Sequence, residues 1–165
     1  MKKLAAALAL VSALAVPASV GANPPDKFPT PLASFEVPAG AVCSFGVRSE
    51  YPQSNPFEID HVDRSGNLRW AFGGGNIVNR ITNLSNGHSV ELNVTGPGKI
   101  TVADDGSLTV DGTGHWLIGY FVTDSPSRAL VYYSGHIVLH VSPTGQLTLV
   151  SYVGAPPQDV CAMIA

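Results

Sequence analysis

Two cysteines, five histidines and one group of acids are the residues of this 165-residue chain best suited to chemistry. His136 and His140 stand four apart, a spacing that on a helix aims two imidazoles at one zinc. The run His136-Ile-Val-Leu-His140-Val reads as a strand instead, where four residues span about 13 Å. One ion cannot bridge that distance, and His61, His88 and His115 have no partner at metal-ligand spacing. No metal and no other cofactor is expected. Glu50, Glu58, Asp60 and Asp63 could supply the carboxylate pair of a glycoside hydrolase. Glu58 and Asp60 fall on one strand face about 7 Å apart, and on an acidic chain they read as a solvated face. No Gly-x-Ser-x-Gly elbow is present, and Ser, His and Asp are too scattered to nominate a triad. Gly73-Gly74-Gly75 lacks the Lys-Ser/Thr of a phosphate loop and reads as a turn or hinge. No catalytic residue is nominated, and the balance leans away from an enzyme.

Aromatic rings are the other candidates. Trp70, Trp116 and Tyr120 could stack on a sugar or grip a partner protein. Trp116 and Tyr120 share one strand parity, as do Trp70 and Phe72. Core packing is the usual fate of tryptophan in a domain of this size.

The cysteines take their meaning from the compartment. Met1-Lys2-Lys3 is a positive start, Leu4 to Val16 is a 13-residue apolar run without charge, and Val20-Gly21-Ala22 fits a cleavage site. Residues 1–22 therefore read as a signal peptide. The run is too short to span a bilayer, no second hydrophobic segment follows, and no transmembrane anchor is expected. A secreted, extracellular domain follows from this reading. Two cysteines in an oxidising compartment, Cys43 and Cys161, are expected to form one disulfide. The leader takes two lysines and no acid, which leaves 7 basic and 12 acidic residues, a net charge of −5. With only 13% charged residues in the whole chain, there is no electrostatic footprint for nucleic acid or anionic lipid.

The elements that must position these groups are strands. Residues 23–34 hold four prolines and read as an extended surface segment. Residues 35–165 read as a single all-β domain. Strands are expected at Phe35–Val37 and Val42–Arg48, a polar loop at Glu50–Pro56, then paired strands at Phe57–Val62 and Leu68–Phe72. Gly73-Gly74-Gly75 is expected to break the chain before a strand at Ile77–Leu84. From Asn86 to Gly119, period-two alternation is punctuated by Asn86-Gly87, Gly96-Pro97-Gly98, Asp105-Gly106 and Gly112-Thr113-Gly114. These glycines are expected to supply the positive φ of tight turns in an antiparallel meander. His115–Thr123 is nearly all apolar and reads as a strand buried on both faces. Ala129–Tyr133, Ile137–Val141 and Leu147–Val153 complete the set, and Gln158–Ala165 is a helical turn or a packed tail. The fold class is an antiparallel meander closed into a barrel or sandwich of about nine to eleven short strands. Val62 to Leu68, Val102 to Leu108 and Val141 to Leu147 share Val-x-x-x-Gly-x-Leu. They are either convergent hairpins or the units of a threefold β-barrel.

The strand Cys43-Ser-Phe45-x-Val47, the stretch Thr82-Asn83-Leu84-x-x-Gly87-x-Ser89-Val90-x-Leu92-Asn93-Val94-x-Gly96-Pro97-Gly98, the turn Asp105-Gly106-Ser107-Leu108 and the closing Asp159-Val160-Cys161-Ala162 run through nearly the whole mature chain. Together they resemble an uncharacterised family of small secreted actinobacterial proteins. The resemblance implies a secreted β domain with one cysteine near each end, and no catalytic residue to carry over. Three functional readings stand side by side. The first is a non-catalytic β domain that binds an extracellular protein, a glycan or an apolar small molecule. The second is a small barrel enclosing an apolar ligand, with a cavity lined by Phe121, Trp116 and the central valines. The third is a secreted hydrolase or cyclase with a dispersed site.

Overall fold

Three hairpins with one shared turn frame the molecule. The computed structural model describes Lys27–Pro29 and residues 32–165, so the expected signal peptide and the start of the proline-rich segment lie outside the described residues. In each Val-x-x-x-Gly-x-Leu unit the valine pairs with the leucine across the tip: Val62 with Leu68, Val102 with Leu108, Val141 with Leu147. Gly66, Gly106 and Gly145 have φ of +85°, +83° and +86°. That region costs a residue with a Cβ about 1–2 kcal/mol. Each glycine amide donates back across the turn, Gly66 to Asp63, Gly106 to Ala103 and Gly145 to Ser142.

The strands in order are β1 (Lys27–Pro29), β2 (Phe35–Val37), β3 (Val47–Val62), β4 (Leu68–Asn83), β5 (Ser89–Asn93) and β6 (Gly98–Val102). Then come β7 (Leu108–Gly112), β8 (His115–Tyr120), β9 (Ala129–Val141), β10 (Leu147–Gly154), β11 (Gln158–Asp159) and the helical turn α1 (Val160–Met163). The domain is all-β and antiparallel. The hairpins β3–β4, β6–β7 and β9–β10 lie side by side in the order β1-β3-β4-β6-β7-β9-β10. This sheet does not close into a barrel.

Pairing within Asn86–Gly119 differs from a simple meander. Only β6 and β7 pair with each other; β5 and β6 lie end to end along β4, and β7 and β8 end to end along β9. The indole of Trp116 packs against glycines at both junctions. An added Cβ at Gly96, Gly98 or Gly112 would stand 2.4, 2.7 or 2.3 Å from its indole. None of these three glycines has positive φ. They clear space for a ring, while Gly87, Gly106 and Gly114 supply the left-handed turns.

Three other segments depart from expectation. Glu50–Pro56 is strand, not loop, because β3 runs unbroken opposite β4, with a bulge between Glu50 and Gln53. Pro52 and Pro56 fit because β2 and β1 cover the far edge of β3 only at residues 47–49 and 57–59, and proline tolerates an unpaired edge or a bulge. Gly73-Gly74-Gly75 lies inside β4 rather than breaking it, with Gly75 (φ +135°) so near Asn55 that a Cβ would stand 2.4 Å from its carbonyl oxygen. Val42 to Phe45 is a bend, and the strand starts at Val47.

Two clusters fill the interior. One joins Val47, Ile81 and Leu92 of β3, β4 and β5 to Leu130 of β9, with Val42, Cys43, Val160 and Ile164. The other joins Tyr120, Tyr133, Ile137 and Leu139. Leu117 packs on the first, and Trp116 and Ile118 on the second, so β8 is covered on both faces. The strand expected over His115–Thr123 ends at Tyr120, and Phe121, Val122 and Thr123 lie beyond it and are exposed. Cys43 and Cys161 form the disulfide, with Cα atoms 5.6 Å apart. The bridge is not the tail's sole anchor. Val160 and Ile164 are fully buried, Asp159 caps α1, and Asn83 Nδ2 donates to the Ile164 carbonyl at 2.9 Å.

Candidate ligand-binding cleft

A cleft of about 230 Å³ opens between β2, β3 and β4 on one side and β8 and β9 on the other. Its apolar walls are Val37, Val42, Val47, Ile81, Leu117 and Leu130. Phe35 and Phe121, 51% and 50% exposed, stand at the rim. The volume falls between a cavity of about 150 Å³ that takes benzene and the roughly 300 Å³ of small drug-sized sites. No charged residue lines it.

Strand alternation sends the polar lining residues inward. Val47 pairs with Asn83 and Ser49 with Ile81, so these four and Asn79 share the face that looks into the domain. Ser49 is 3% exposed and Asn79 5%. Ser49 Oγ donates to Asn79 Oδ1 at 3.1 Å. Asn79 borders the cleft, and its amide's one side-chain hydrogen bond among the described residues is the one it accepts from Ser49. Since no fully buried side-chain nitrogen or oxygen among the described residues lacks a partner, Nδ2 keeps contact with open space. An amide held by Ser49 with Nδ2 left over, among Val47, Ile81 and Leu92, can donate to a molecule in the cleft. The phenol of Tyr51 lines the same space.

The aromatic candidates are not brought together. Tyr120 is fully buried, its hydroxyl 3.0 Å from that of Tyr133, and it offers no surface to a ligand. Burial raises its pKa, with Tyr133 adding to the effect. Trp70 lies on the other face of β4, stacked on His61 at 5.0 Å with the Lys99 ammonium 5.2 Å from its ring. Trp116 donates Nε1–H to the Thr113 carbonyl and borders a second cavity of about 190 Å³ with Phe57, Glu58 and Ile100. Burial, then the neighbouring Asp60 carboxyl, raises the Glu58 pKa. No histidine lines that cavity, and the titratable neighbour of Glu58 is the Asp60 carboxyl.

The histidines serve local contacts. His136 Nε2 lies 2.8 Å from Asp111, and His115 stacks on Tyr132 with Nδ1 2.9 Å from its hydroxyl. The one phenolic hydrogen of Tyr132 goes to the Asn93 carbonyl, so His115 Nδ1 is the donor in that pair. Among the described residues no group of three metal-capable side chains converges.

Sequence reasoning passed over Ser49 and Asn79 because they stand 30 residues apart. The local signal was two small polar residues at inward parity in otherwise apolar strands. No family model, curated protein or solved structure matches this chain. Among the described residues no helix is long and apolar enough to cross a membrane.

Proposed function

We propose that this protein is a secreted, non-catalytic β domain that carries a small apolar molecule in the cleft between β2–β3–β4 and β8–β9. The observation that carries the reading is the cleft itself: apolar walls, half-exposed phenylalanines at the rim and a buried asparagine facing inward. An apolar ligand gains about 25 cal/mol for each Å² it removes from water, and one fixed polar group orients it. The site differs from the barrel interior expected from sequence. Phe121 lines it, but Trp116 does not, and its valines are Val37, Val42 and Val47. Secretion rests on the export-type leader and accords with the disulfide. Membership of the actinobacterial secreted family belongs to the same proposal and rests on the turn and cysteine motifs.

The test is calorimetric titration with neutral single-ring compounds (acetophenone, α-methylstyrene and indole) against the wild type and Gly119→Leu. Gly119 borders the cleft, and an added Cβ there makes ordinary contacts, 3.4 Å to Val42 and 3.8 Å to Leu130. The Cβ is accommodated on the strand, and the outer atoms of leucine would take up cleft volume. Saturable binding by the wild type, lost in the folded variant, is the expected result. Binding retained in Gly119→Leu, or no saturable binding of any compound, overturns the proposal.

A further inference from the structure

We infer that the cleft selects ligands bearing one uncharged hydrogen-bond acceptor, a ketone, ester or amide carbonyl, on an apolar body of about one ring, and that Asn79 is the residue that reads it. The inference rests on the proposed binding role of the cleft and adds the chemistry of the ligand.

The Ser49–Asn79 pair leaves a hydrogen-bond donor over. Ser49 spends its one hydrogen on Asn79 Oδ1, at 3.1 Å. That contact occupies the oxygen end of the amide and leaves Nδ2, with its two hydrogens, without a partner among the described residues, on a side chain that borders the cleft. An acceptor on the ligand satisfies it; a pure hydrocarbon leaves it buried and unpaired. Sites built around a buried polar group discriminate strongly against analogues that lack the matching atom. Charge is excluded by the rest of the lining. No Lys, Arg or His borders the cleft, so an anion would shed its hydration without a counter-charge. No Asp or Glu borders it either, which removes the case for a cationic ligand. The volume of about 230 Å³ sets the body at one substituted ring or a short branched chain. The same polar pair also explains why the β4 register is worth holding. A one-residue slip would turn Asn79 to the outer face.

The test compares three ligands of one shape on the whole protein. Acetophenone carries the carbonyl, α-methylstyrene replaces its oxygen with a methylene group, and benzoate replaces the methyl ketone with a carboxylate. Acetophenone should bind roughly tenfold more tightly than α-methylstyrene, and benzoate should not bind measurably at neutral pH. In Asn79→Leu the two neutral compounds should bind equally. Infrared spectra of carbonyl-labelled acetophenone give a reading that needs no variant. Bound to the wild type, its stretch should lie below the frequency seen in an alkane solvent. Equal wild-type affinities for the two neutral compounds, an unshifted carbonyl, or a ketone preference that survives in Asn79→Leu would overturn the inference while leaving the binding role intact. Absence of binding by all three compounds and by indole removes the binding role itself, and the inference with it.

Discussion

The indole of Trp116 rests so closely on Gly112 that a methyl group added there would stand 2.3 Å from the ring. Gly96 and Gly98 complete the seat. Gly112→Ala should therefore cost about 1–3 kcal/mol through overpacking. In a Trp116→Ala background the same change should cost less than about 0.5 kcal/mol, since the clash is gone. Urea denaturation of the four proteins gives the coupling. Additive effects would mean the glycine serves the backbone rather than the ring.

The three hairpin tips should respond alike. Gly66, Gly106 and Gly145 share one left-handed angle, and nothing lies within 4 Å of where their Cβ would be. Replacing each with valine should cost about 1–2 kcal/mol, and replacing each with asparagine should cost less, because asparagine tolerates that region. Glu91→Ala, which breaks an exposed pair with Arg80, should stay within about 1 kcal/mol. Chemical denaturation ranking Glu91→Ala as the most damaging would contradict the shared turn.

Those tips show what a sequence makes legible. A turn is decided within five or six neighbouring residues, so Val-x-x-x-Gly-x-Leu announces it. The two-sided burial of β8 is equally local, written in Trp116, Leu117 and Ile118. The disulfide was legible from the export-type leader and the cysteine count. What escaped depends on pieces far apart in the chain. Pro52 and Pro56 look like loop residues until the far edge of β3 proves to be uncovered beside them. Gly73–Gly75 look like a break until they are seen within β4, opposite Phe57 and its neighbours. Gly96, Gly98 and Gly112 look like turn residues because nothing near them in sequence shows where Trp116 will lie. Ser49 and Asn79 become a pair only when β3 and β4 are in register.

Loss of the disulfide should weaken the fold without unmaking it. Cys161→Ser should lower stability by about 2–5 kcal/mol, which is a fall in melting temperature of roughly 6–20 °C for a domain of this size. The tail should stay docked, because Val160 and Ile164 are buried and Asn83 holds the Ile164 carbonyl. Hydrogen exchange at Ala162, whose amide donates to Asp159, reports the docking. An unchanged melting curve, or complete loss of protection there, would contradict this division of labour.

Glu58 sets a pH signature. Its folded pKa is raised, first by burial and then by Asp60. The folded state therefore binds its proton more tightly than the unfolded chain, whose glutamate titrates near about 4.3. This group disfavours folding at neutral pH, and the penalty is relieved as pH falls through the folded pKa. Glu58→Gln should be more stable than the wild type at pH 7, with the gap closing by about pH 4. Asp63 and Asp105 act in the opposite sense. Asn67 and Ser107, respectively, are the leading donors that lower their pKa, so their contribution is lost only under more acidic conditions. Urea midpoints at the two pH values check the sign. A Glu58→Gln variant that is less stable at pH 7 would contradict it.

The most direct test of the cleft as a binding site is a nuclear magnetic resonance titration of the 15N-labelled protein with acetophenone. Saturable shifts are expected in the Asn79 side-chain amide pair and in the backbone amides of Leu117 and Gly119, with the Trp116 indole signal unmoved. Shifts centred on Trp116, Gly96 and Gly98, with the Asn79 amide pair stationary, would contradict it.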